Sequence, residues 1–192
     1  IVVHHQRREA YVAESGRHVL RRISFGPEQS GLNFRIAETY MDVLAGAVDT
    51  PGSADGSAQT ARFHRPTGLT LDEDRDLLYI TERGNHTVRV LDLSRLNDDD
   101  ALQTLAGQPG QRGNFGDEGP ALQAQLNEPR GVALGPDGSL YIADTANHRV
   151  RRIPDPAAET PTIEAVLGDG SPASSGVGLG AASFPVDTPV GL

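Results

Sequence analysis

Cysteine, tryptophan and lysine are absent from the 192 residues, and methionine occurs once. Without cysteine there are no disulfides and no thiolate metal sites. Aromatics make up 5% of the chain, so leucine and β-branched side chains must supply most of the packing. All 17 basic residues are arginine, which reads as a coding bias. No apolar run reaches the roughly 18 residues of a membrane-spanning helix, and no charged-then-apolar leader opens the chain. The first residue is isoleucine, which reads as a processed or excised piece of a longer protein. A formal charge of −9 works against phosphate backbones, so nucleic acid is not an expected partner.

What is abundant is turn chemistry, with 22 glycines and 13 prolines. The chain also repeats itself. "YVAESGRHVLRRI" from Tyr11 returns as "YITERGNHTVRVL" from Tyr79 and "YIADTANHRVRRI" from Tyr141. His18, His86 and His148 are spaced by 68 and 62 residues, and the "LAG" or "LG" markers at Leu44, Leu105 and Leu167 by 61 and 62. Pro66, Pro129 and Pro189 each precede an X-Gly pair, so the period is about 62 residues.

Within one period the pattern predicts four short strands. In the cleanest copy "GVAL" (131–134) is a buried run and "GPDG" (135–138) a tight turn. "SLYIA" (139–143) returns, and a turn at Asp144 to Asn147 leads into "HRVRRI", where Val150 is expected on one face and arginines on the other. "TIEAVLG" (162–168) is the fourth strand. A lone four-stranded meander has two open edges and two bare faces, so copies must stack to bury them. Face-to-face stacking around an axis is the propeller arrangement. The expected fold is therefore all-β, a β-propeller of four-stranded antiparallel blades. Three blades lie in this chain, at about 1–66, 67–129 and 130–190, all parts of one domain. Three blades do not close a ring. The full disc is expected to have six, the others coming from the same longer chain or from a second copy.

"PRGVALGPDGSLYIADTANHRVRRI" resembles the NHL repeat, the blade unit of a family of β-propellers that includes bacterial NHL repeat-containing proteins. "PTGLTLDEDRDLLYITERGNHTVRVLDL" is a looser match, and "IVVHHQRREAYVAESGRHVLRRI" departs further, with Arg17-His18-Val19 in place of Asn-His-Leu. The resemblance implies a rigid disc that presents its inter-blade connectors to a protein or peptide partner. It leans toward an exported protein, extracellular or periplasmic. Some relatives of this fold are metal-dependent lyases or hydrolases, which keeps an enzyme as the alternative reading.

The connectors "DGSAQTARFHRP" (55–66) and "EGPALQAQLNEP" (118–129) align, with Phe63 and Leu126 as apolar plugs between blades; "GLGAASFPVDTP" (178–189) echoes them with Phe184. Connector residues His64, Arg65, Phe115, Asp117, Glu118 and Arg130 are the candidate binding residues. His18, His86 and His148 read as fold residues. Each is expected to pack at its strand-to-strand turn and bond within its own blade, to Glu14, Glu82 or Asp144 four positions earlier. His4 and His5 point to opposite faces of a strand and cannot chelate together. The acidic runs 72–76 and 97–100 lack the ligand spacing of a calcium loop and read as solvated turns. No nucleophile elbow, phosphate cradle or carboxylate pair is legible, so no catalytic residue, metal or cofactor is assigned.

Overall fold

A computed structural model describes residues 1–26, 40–172 and 188–191. The described residues form three antiparallel sheets in chain order. The first holds β1 (Val2–His4), β2 (Glu9–Glu14), β3 (Val19–Ser24) and β4 (Tyr40–Gly46). The second holds β5 (Pro66–Asp72), β6 (Leu77–Glu82), β7 (Thr87–Asp92) and β8 (Leu102–Ala106). The third runs β10 (Val132–Leu134), β11 (Leu140–Asp144), β12 (Arg149–Ile153), β13 (Thr162–Leu167), and gains a fifth, outer strand, β9 (Gly119–Pro120), from the connector that precedes it. The meander expected from the period is thus present three times.

Register shows how closely the copies match. Val2, Thr70 and Ala133 face the repeated tyrosines Tyr11, Tyr79 and Tyr141 across the first strand pair. All three sheets carry a bulge at the same place in the third and fourth strands, after Leu20, Val88 and Val150. A glycine with a left-handed backbone ends the fourth strand or directly follows it, Gly46, Gly107 and Gly168, at φ near +90°. A Cβ there would run into the carbonyl of His18, His86 or His148. The recurring "LAG" and "LG" are therefore steric requirements of the sheet.

Two buried clusters make the core, and neither belongs to a single sheet. One joins Leu20 and Leu44 of the first sheet to Leu78, Ile80 and Leu91 of the second, with Phe63 in between. The other joins Tyr79 and Val88 of the second sheet to Ile142 and Ile153 of the third, with Leu126 in between. Phe63 and Leu126 are fully buried, so each connector supplies a plug between consecutive sheets. The corresponding Phe184 lies outside the described residues. Each sheet completes its neighbour's core, as expected of a repeat whose units cannot bury their faces alone.

Polar contacts seal the first junction on the side away from the connectors. The side chains of His4 and Arg7 reach Asp76, with His4 Nε2 at 2.8 Å and Arg7 Nη2 at 2.7 Å. The exposed His5 pairs with Glu73 at 2.7 Å. Asp72 is buried and caps its own turn through the Asp74 and Arg75 amides. The run 72–76 is thus a clasp between two sheets, where the sequence suggested only a solvated turn. His4 is a buried strand residue, whereas His5 already lies in the following turn.

Candidate functional site

The connectors and the turns between second and third strands converge on one side of each sheet, and a repeated polar network ties them together. In every copy the histidine after the turn sits in the left-handed region, at φ 62°, 61° and 52° for His18, His86 and His148. Its Nδ1 accepts a backbone N–H from the connector leading into the next repeat: Arg65 at 3.1 Å, Glu128 at 3.1 Å and Thr188 at 3.2 Å. The three connector residues are themselves left-handed non-glycine positions. Accepting that hydrogen bond requires the neutral ring with Nδ1 bare. Burial lowers the pKa of both His18 and His86, which favours that form.

The carboxylates four positions earlier serve other groups. Glu82 accepts the His64 amide at 2.7 Å and Asp144 the Asn127 amide at 2.7 Å, so each holds the connector that enters its own repeat. Asn85 and Asn147 add a second clamp, bonding both to that carboxylate and to the carbonyl of Gly52 or Gly113. Histidine and carboxylate therefore grip successive connectors instead of each other.

Behind each clamp lies an arginine with no exposure. Arg89 donates to Glu82 at 2.7 Å, to Asp55 at 2.6 Å and to the carbonyls of Ala54 and Arg62. Its guanidinium lies over the Phe63 ring, 5.7 Å from the centroid. Arg151 binds Asp117 at 2.7 Å and the carbonyls of Gln125 and Phe115, with Asp144 at 3.8 Å. The expectation of Val150 on one face and the arginines on the other therefore needs correction. Arg151 faces inward under a lid of connector, and Arg152, which pairs with Glu164, lies on the face of Val150. Burial pushes the Asp144 carboxyl up to about 6 and raises Glu82 as well, against the pull of the arginines.

This network redistributes the candidate binding residues. Asp117 is engaged by Arg149 and Arg151. Glu118 takes a left-handed backbone, and its amide bonds to the Ile163 carbonyl. His64 stacks edge-to-face on His18, ring centres 5.5 Å apart. Arg65 is exposed, and its backbone rather than its side chain is held. Phe115 is 73% exposed, yet its carbonyl takes hydrogen bonds from Arg151 and from the Gln125 amide. Arg130 flanks Glu128, which also pairs with Arg83 at 2.8 Å. It lines a cleft of about 440 Å³ between the first strands, together with Thr67, Gly68, Gly131 and Val190. Its buried Nε makes no hydrogen bond. Among the described residues no group of three or more histidine or carboxylate side chains is placed to hold a metal. No helix among them is long and apolar enough to cross a membrane.

The repeats that carry this network match the NHL repeat family model at residues 63–91 and 126–153, each match running from the buried plug to the end of the third strand. These two segments are NHL repeats. It is 36% identical over 101 residues to NHL repeat-containing protein 2 of Bos taurus, covering 52% of this chain and 13% of that protein. It is 30% identical over 109 residues to the chloroplastic protein Suppressor of Quenching 1 of Arabidopsis thaliana, covering 56% and 10%. The chain thus spans only a small part of the curated relatives it matches. Among solved structures it resembles an auxiliary nutrient binding protein from Bacteroides ovatus, with 26% identity and a TM-score of 0.61, over 79% of this chain and 36% of that one. A putative phosphatase from Bacteroides thetaiotaomicron superposes with 18% identity and a TM-score of 0.60, over 85% and 34%. The latter likeness is one of fold alone.

Proposed function

We propose that this NHL chain is a non-catalytic binding or scaffolding module. It contributes three blades, at about 1–66, 67–129 and 130–190, to a disc of about six, and presents its connectors to a protein or peptide. The observation that carries this reading is Phe115, a large exposed aromatic at the tip of a connector whose backbone is bolted to a buried arginine. An aromatic anchor held in advance loses little conformational freedom on binding, and such residues supply a disproportionate share of interface energy. Arg65 offers a second exposed side chain on a fixed backbone. Both side chains can be changed without touching the bonds that hold their loops. The nutrient-binding neighbour supports a binding role in general terms.

The test compares Phe115→Ala and Arg65→Glu with wild type in affinity capture and in thermal melts. Both variants should melt within about 0.5 kcal/mol of wild type, as surface changes do, while losing partners that wild type retains. Equal capture by all three proteins would remove the binding site from this face.

A further inference from the structure

The three repeats are not equally finished. In the second sheet, the preceding connector runs along the outer edge of the fourth strand. Gly56 exchanges both backbone hydrogen bonds with Leu102 there, while Asp55 one residue earlier reaches Arg89. In the third sheet, Gly119 pairs with Ile163, and Asp117 two residues earlier reaches Arg151. Both connectors then place an alanine, Ala58 or Ala121, whose carbonyl accepts the amide of the glycine that ends the previous sheet, Gly46 or Gly107. An Asp-(x)-Gly-x-Ala connector is the lid in each case.

Among the described residues, the first sheet carries the same receiving groups without the lid. Arg21 stands three residues after His18, as Arg89 and Arg151 stand after His86 and His148. It bonds to Glu14 at 2.7 Å, but the two side chains are 22% and 37% exposed, against 1% and 0% for Arg89 and Glu82. Met41 opposes Ile23 as Leu102 opposes Leu91, and Ile163 follows from the neighbouring Arg152–Glu164 pair. Leu102 and Ile163 are wholly buried; Met41 is 64% exposed, beside Tyr40 at 70%. Among the described residues no strand pairs with the outer edge of β4. A bare apolar edge beside an unfinished arginine site is a liability for a soluble sheet.

We infer that this edge of the first sheet, Arg21 with Glu14 and Met41, is the docking site for an extended Asp-(x)-Gly-x-Ala connector from a preceding NHL blade. The inference rests on the proposal that further blades complete the disc. The occupant follows from internal precedent: a carboxylate for the open side of Arg21, and a glycine backbone to pair beside Met41. Docking would convert a half-exposed ion pair into the buried cluster seen twice already.

Met41 is the only methionine, so its oxidation by peroxide, read by mass, reports the lid without labelling. Val2 faces Tyr11 as Ala133 faces Tyr141, so residues 107–131 fused ahead of Ile1 would place a known connector in register. The grafted protein should oxidise Met41 about ten-fold more slowly than the unmodified chain, independent of protein concentration. The protection should vanish in Arg21→Ala, and when the graft's copy of Asp117 is alanine. Equal rates with and without the graft would overturn the inference. So would protection that survives both substitutions, and so would an ungrafted chain already protected in proportion to its concentration, since a second copy would then be the lid. None of these results bears on Phe115, whose capture assay tests the binding role separately.

Discussion

The second and first sheets place the same charged pair in different surroundings. Glu82 and Arg89 are fully buried among four connector groups, whereas Glu14 and Arg21 make a bond of the same length, 2.7 Å, at the surface. The difference lies in the cover and not in the pair. A buried guanidinium is tolerable because Asp55, two carbonyls and the Phe63 face compensate it together. The arginine thereby makes the connector part of the blade. In the second and third sheets the buried arginine is bonded to an aspartate 34 positions upstream.

The contrast is broken most severely by removing one partner. Glu82→Ala takes one of two carboxylates from a buried guanidinium and the acceptor from the His64 amide, and should destabilise by about 3–5 kcal/mol, while Glu14→Ala, at a half-exposed pair, should cost no more than about 1 kcal/mol by chemical denaturation. Similar losses would mean that the cover contributes nothing.

A smaller effect appears with pH, and here two regions carry opposite signs. Hydrogen bonds from Arg7 and then His4 hold the Asp76 carboxyl down at about 2. Its folded value lies below its ordinary 3.8, so its contribution is present above 3.8 and lost as pH falls toward 2. Asp144 is raised to about 6 by burial, so the folded state takes up its proton first. The third sheet therefore gains stability as pH falls from about 6 toward 3.8. Arg7→Ala should flatten the loss below pH 4, and Asp144→Asn the gain between 6 and 4. Unchanged melting profiles in both variants would show that neither carboxylate senses folding.

Much of the scaffold was legible in the sequence because its causes are local. The Gly-Pro-Asp-Gly turn and the alternation in β11 and β12 mark the strands of the third repeat, and the left-handed glycines recur at the period that the tyrosines and histidines mark. The clamps were not legible, because alternation tells which residues share a face but not what covers it. The cover over Arg151 could not be read from β12, because its lid, Phe115 to Gln125, lies far upstream. A signal was nonetheless present: an arginine three residues after each repeat histidine, with an Asp in each connector. Asp117 appeared as a ligand contact for the same reason, since its partner lies 34 positions away. Phe115 kept its exposure, and the candidate binding surface narrows to it and Arg65.

The central claim, that cover by the connector turns an ordinary ion pair into a structural one, is tested most directly by parallel double-mutant cycles. The Glu82–Arg89 cycle and the Glu14–Arg21 cycle would each be measured by denaturant unfolding of the same chain. The account predicts a coupling of about 2–3 kcal/mol for the covered pair and less than about 1 kcal/mol for the open one. Equal couplings, or a larger one at Glu14–Arg21, would contradict it.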